Sequence, residues 1–136
     1  MKRLVVIIII FLPILSTANE SLNEALFAAI KQVSLEEVKN AIDAGADVNA
    51  KNRDGEPALI ALFEGCTFNV YHLKIAQHLI NSGADVNAEN KDRVSVLVAT
   101  VSSCTITPYH VEMARLLILK GAKINATNAT GWTPLM

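Results

Sequence analysis

The sequence predicts an all-α solenoid of stacked helix pairs with protruding turns, and three observations carry that expectation. A single 38-residue step relates Gly45-Ala46-Asp47-Val48-Asn49-Ala50 to the identical Gly83-Ala84-Asp85-Val86-Asn87-Ala88, and then to Gly121-Ala122-Lys123-Ile124-Asn125-Ala126. Ahead of each glycine runs a segment with apolar residues at i, i+3, i+6 and i+7, which is one face of a helix. Polar stretches suited to turns follow, Lys51 to Glu56 and Glu89 to Arg93. Two short helices cannot bury their apolar faces alone, so units one step apart must stack into a continuous core.

The first 18 residues stand outside this repeat. Lys2 and Arg3 precede an apolar run from Leu4 to Leu15, with small residues at Ser16 and Ala18. This is the layout of a secretory signal peptide, with cleavage expected after Ala18. A membrane anchor is the rival, but crossing the hydrocarbon takes about 20 apolar residues and this run is shorter. Without the leader, 10 basic residues face 13 acidic ones, a net charge of −3. That balance favours neither nucleic acid nor an anionic membrane. The hydrophobic content of 51% is raised by the leader, and the remainder suits an Ala- and Leu-rich helical domain.

In the first unit, Leu26 to Ile30 predicts a short helix. A longer one follows with Leu35, Val38, Ala41 and Ile42 on its apolar face. Ser34 and Glu37 form a capping-box pair, so that helix is expected to start at Leu35. Glu36 and Glu37 in its first turn complement the helix dipole. Gly45 ends it, because glycine enters the left-handed region at the C′ position without steric cost. The second unit repeats the scheme with Leu59 to Phe63, then Leu73, Ala76, Leu79 and Ile80, closing on Gly83. In the third, Val111, Ala114, Leu117 and Ile118 lead to Gly121. Asp54-Gly55 is a strong tight-turn signal between units.

A fourth unit opens with Gly131-Trp132-Thr133-Pro134-Leu135-Met136. This resembles the G-x-T-P-L-H signature of ankyrin repeats, with methionine in the histidine position, and the Gly-Ala-Asp-Val-Asn-Ala segments are similarly characteristic. The resemblance covers about residues 21 to 136, a domain of residues 19–136 with units near 21–53, 54–91, 92–129 and an incomplete 130–136. Three departures accompany it. The middle units carry Pro57-Ala58-Leu59-Ile60 and Ser95-Val96-Leu97-Val98 at the signature, so the usual Thr and His hydrogen bonds are expected to be missing there. The period is 38 rather than 33, which places five extra residues near Gly65 to Tyr71 and Ser103 to Tyr109. The third unit is expected to present apolar surface, and a version extended to complete the fourth pair should be more soluble and melt higher.

Cys66-Thr67-Phe68-Asn69-Val70-Tyr71-His72 and Cys104-Thr105-Ile106-Thr107-Pro108-Tyr109-His110 match in phase. Three readings stay open. Duplication alone explains the match, with Tyr71 and Tyr109 covering the edge of the core and His72 and His110 heading each second helix. A disulfide between Cys66 and Cys104 suits an exported protein with an even cysteine count. It requires the loops to lean together, since the resemblance implies that equivalent points on adjacent ankyrin units lie about 10 Å apart, beyond the ~4.4 to 6.8 Å that a disulfide spans. Zinc held by the two cysteines and two histidines has suitable ligands, but Cys-x5-His matches no structural zinc spacing. His78 is expected on the solvated side of its helix. Asn125-Ala126-Thr127 and Asn128-Ala129-Thr130 are glycosylation sequons, meaningful in a eukaryotic secretory pathway.

No phosphate-binding glycine loop and no nucleophile with an oriented base is evident in the sequence, so no enzyme, cofactor or metal is expected. The resemblance implies a binding module acting through turn tips and a concave face. Carried over by position, the contact residues are Lys51, Asn52 and Arg53 on one tip and Glu89, Asn90, Lys91 and Arg93 on the next. Their mixed signs fit a protein partner. Export implies a bacterial periplasm or the extracellular space, and a monomer is expected. The alternative is a redox- or metal-responsive module built on the duplicated Cys-x5-His loops.

Overall fold

The computed structural model describes the backbone of residues 2–135 and the side chains of residues 17–135. Among these residues the fold is all-α. Six helices run in the order α1 (Lys2–Lys31), α2 (Leu35–Asp43), α3 (Ala58–Ala61), α4 (Val70–Asn81), α5 (Val96–Val101) and α6 (Pro108–Leu119). The only extended pairing described is two isolated antiparallel bridges, Lys51 with Pro57 and Glu89 with Ser95.

α1 is far longer than the short helix expected at Leu26 to Ile30. Nothing between Ala18 and Leu26 breaks a helix, and Leu22, Leu26, Ala29 and Ile30 extend one apolar stripe onto the core. The basic and apolar side chains of residues 2–15, on which the expected leader rests, lie outside the described set. Among the described residues no helix is long and apolar enough to cross a membrane.

α1 packs on α2 and α3, α3 on α4 and α5, and α5 on α6. α4 lies between α2 and α6. Two rows of helices therefore enclose a core of fully buried Leu26, Val38, Ile75, Leu79, Met113 and Leu117. Removing such apolar surface from water is the main favourable term.

The helix ends follow local chemistry. Ser34 Oγ accepts from the Glu37 N–H at 3.4 Å, so α2 starts at Leu35 as expected. The return half of the capping box is absent among the described residues because the Ser34 N–H donates to the Ala29 carbonyl instead. That bond, with Val33 N–H to the Ile30 carbonyl, closes α1 in a Schellman motif. Val33 occupies the left-handed position there, at φ 56°. The same pair of bonds closes α2, α4 and α6, now with Gly45, Gly83 and Gly121 at positive φ. The alanine after each glycine is buried.

The loops between paired helices end sooner than expected, at Asn69 and Thr107. Each of these residues caps a helix whose first turn takes up Val70-Tyr71 or Pro108-Tyr109, with Pro108 at the favourable first position. At the altered signatures, Ser95 Oγ accepts from the Val98 N–H at 3.3 Å and caps the six-residue α5. Pro57 supplies no such bond to the four-residue α3.

Neighbouring units are tied by one asparagine per interface. Asn49 Oδ1 accepts from the Asp85 N–H at 2.7 Å while its Nδ2 donates to the Gly83 carbonyl at 3.1 Å. Asn87 repeats both bonds on Lys123 N–H and the Gly121 carbonyl, at 2.8 and 3.2 Å. From α1, Asn23 Oδ1 accepts from the Asp47 N–H at 2.8 Å.

Candidate functional site: the turn tips, their grooves and the bridged loops

Each turn between units is organised by an asparagine. Asn52 Oδ1 accepts from the N–H groups of Asp54 and Glu56, at 3.0 and 2.9 Å. Asn90 does the same for Asp92 and Val94, and Asn128 for Thr130 and Trp132. Gly55 and Gly131 adopt φ 82° and 83° at the equivalent point of their turns, where the second turn holds Arg93 at φ 58°.

This geometry divides the seven expected contact residues. Asn52 and Asn90 are half-buried and use their amide oxygens to build the turns. Asn90 also donates from Nδ2 to Glu56 Oε1 at 3.1 Å, joining its tip to the previous one. Lys51 reaches the same neighbour, its Nζ donating to the Glu89 carbonyl at 3.0 Å. Arg53 pairs with Glu24 of α1, and both side chains are exposed. The Lys91 side chain lies beside Gly55. Lys91 and Arg93 are exposed, and Glu89 is half-buried. The structure thus brings all seven onto one continuous edge.

Between that edge and the first helices run grooves that the sequence did not single out. One of about 630 Å³ lies between α1 and the first tip, lined by Glu20, Glu24, Phe27, Lys51 and Arg53. The next, of about 430 Å³, is lined by Phe27, Lys31, Asp54, Leu62, Glu64 and His72. A third, of about 550 Å³, carries Glu56, Ile60, Phe63, Asn90 and both cysteines on its walls. Phe27, Ile60 and Phe63 were legible as apolar helix residues, but their position below the tips depends on how units superpose.

Cys66 and Cys104 form a disulfide, with Cα atoms 5.2 Å apart. The two loops lean together and close the wider spacing expected between neighbouring units. Both sulfurs are consumed, so no thiolate remains for the zinc reading, and among the described residues no group of three or more His, Cys, Asp or Glu could hold a metal ion.

Beneath the bridge the aromatic rings meet. Phe68 stacks on Phe63 at 4.8 Å and lies 4.9 Å from the His110 ring and 5.4 Å from His72. His110 Nδ1 lies 3.0 Å from the Thr107 nitrogen and 2.9 Å from Thr107 Oγ1, and its Nε2 is buried with no partner among the described residues. His72 Nδ1 lies 3.0 Å from Asn69 Oδ1 and 3.4 Å from the Asn69 nitrogen. Burial lowers both imidazole pKa values below the ordinary 6.5, and the His110 charge lowers that of His72 further. Both histidines head their helices as expected. Tyr71 and Tyr109 do not cover the core, being 58% and 37% exposed, because they fall on the outer side of the newly added first turns. His78 is half-buried rather than solvated, and its Nε2 is enclosed without a partner among the described residues. Of the sequons, Asn125 is exposed, whereas Asn128 Oδ1 is occupied by its turn.

No protein-family model matches the chain, and no curated protein is detectably similar to it.

Proposed function

We propose that this chain is an exported, non-enzymatic ankyrin-type repeat module that recognises a protein partner along the edge formed by its turn tips and the grooves behind them. The observation that carries this reading is the bracing of the two tips against each other, Lys51 to the Glu89 carbonyl and Asn90 to Glu56. A braced edge loses little conformational freedom on binding, which is what favours recognition by a preorganised surface. Exposed charges of both signs and aromatic groove walls supply specificity and contact area. The 38-residue register, the Gly-Ala helix ends and the Thr133-Pro134-Leu135 segment support the repeat family. The Cys66–Cys104 bridge supports an oxidising destination, in keeping with the leader-like first 18 residues.

The test is affinity capture on the immobilised full chain from the exporting compartment, repeated with Arg53→Glu and Arg93→Glu together. A specific protein partner retained by the parent and lost by the double variant is the expected result. Retention unaffected by the tips would sink the assignment of this edge.

A second reading, a redox-responsive module, is favoured by the exposure of both bridged cysteines beside the third groove. The double variant Cys66→Ser, Cys104→Ser separates the two. Binding survives it if the cysteines only brace the loops, and fails if their oxidation state controls recognition.

A further inference from the structure

Asp54 lines all three grooves behind the tips, and Glu64 lines two of them. The two residues therefore stand on the divide between the 430 Å³ groove and the 550 Å³ groove, Asp54 from the first tip and Glu64 from the turn after α3. Both are exposed, and neither carboxylate has a partner among the described residues. The basic side chains of the same tip are engaged elsewhere, Lys51 on the Glu89 carbonyl and Arg53 on Glu24. Among the described residues, Lys31 is the one lysine or arginine on the walls of these two grooves, against Asp54, Glu56 and Glu64.

A second, independent observation lies in the smaller groove. His72 is only 8% exposed, and its ring forms part of that wall. The Nε2 atoms of His78 and His110 are enclosed without partners. His72 Nε2 has no partner among the described residues either, but it is not enclosed, so it faces the groove that its ring lines. The floor is apolar on both sides of the divide, with Phe27 and Leu62 on one and Ile60 and Phe63 on the other.

We propose that this trough takes an arginine side chain presented by an extended segment of a protein partner. The guanidinium lies on the divide and donates to Asp54 and Glu64, a pair of carboxylates that one planar fork can engage together. Its aliphatic stem covers Phe27 and Leu62. A main chain running along the groove offers both N–H and C=O groups, so His72 Nε2 gains a bond whichever of its nitrogens carries the hydrogen. A bare cation would answer the carboxylates and leave the apolar floor and the imidazole unmet. Phosphate-rich partners meet the wrong sign of charge at the divide.

This inference rests on the recognition edge proposed above and names the partner's chemistry at one point of it. The test titrates the full chain with the blocked peptide Gly-Ser-Leu-Arg-Leu-Ser-Gly and with its neutral citrulline counterpart, followed by NMR. The arginine peptide is expected to shift the amides of Phe27, Asp54 and Glu64 and the ring signals of His72, and to bind about tenfold more tightly than the citrulline peptide. Asp54→Asn with Glu64→Gln should remove that advantage at an unchanged melting temperature. Lys31→Glu, which takes away the opposing charge, should strengthen binding of the arginine peptide alone, a gain that misfolding cannot imitate. Equal binding of the two peptides, shifts confined to other surfaces, or a silent Lys31→Glu overturns the arginine site. A partner captured through the tips, lost with Arg53→Glu and Arg93→Glu but indifferent to Asp54→Asn with Glu64→Gln, overturns this inference and leaves the edge standing.

Discussion

Arg93 and the two helix-heading histidines show how single residues are held against their preferences. Arg93 sits at φ 58° where the other two turns place glycine. A Cβ there meets the following carbonyl, at a cost of about 1–2 kcal/mol that glycine avoids but partly returns as unfolded-chain entropy. Arg93→Gly is therefore expected to stabilise the chain by about 0.5–1 kcal/mol in urea denaturation. His72 and His110 act in the opposite sense, as groups kept neutral. Their folded pKa values are lowered by burial, so below about pH 6.5 the unfolded chain binds more protons than the folded one. Their contribution is whole above that pH and is lost as pH falls towards the folded values. The urea midpoint should fall between pH 7.5 and 5.5, and His72→Gln with His110→Gln should flatten that slope.

At the scale of elements, capping decides where helices begin and which loops remain. Asn69 accepts from two N–H groups of the first turn of α4. Asn69→Ala is expected to destabilise the chain by about 1 kcal/mol, read from the denaturant midpoint, with α4 fraying back towards Leu73. Elements whose stop signal is glycine were legible in the sequence, including the closure of α2, α4 and α6. The end of α1 was less so, because Val33 performs the glycine's role without its permissive backbone. The starts of α4 and α6 were missed for a related reason. The apolar stripe begins at Leu73 and Val111, while the added turns are specified by capping residues that periodicity does not register. The seven tip residues were expected from the family resemblance, carried over by position, but their division into turn builders and exposed side chains depends on where each amide points. The grooves depend on superposing units and left no mark on local spacing.

For the whole molecule, the disulfide is the one covalent tie, joining cysteines 38 residues apart. Constraining a loop of that length in the unfolded chain contributes about 3–4 kcal/mol in the chain-entropy account. Titration of the unfolded, unreduced protein should find no free thiol, and reduction should lower the urea midpoint by an amount of that order. The tie is unevenly placed. It bridges the second and third units, while the first is held to the second by Asn49, the Lys51 bond to the Glu89 carbonyl and buried packing. A linear array with one reinforced joint opens at another. The seam between the first and second units becomes the place where the chain starts to come apart, leaving the bridged pair as the last body to lose its order.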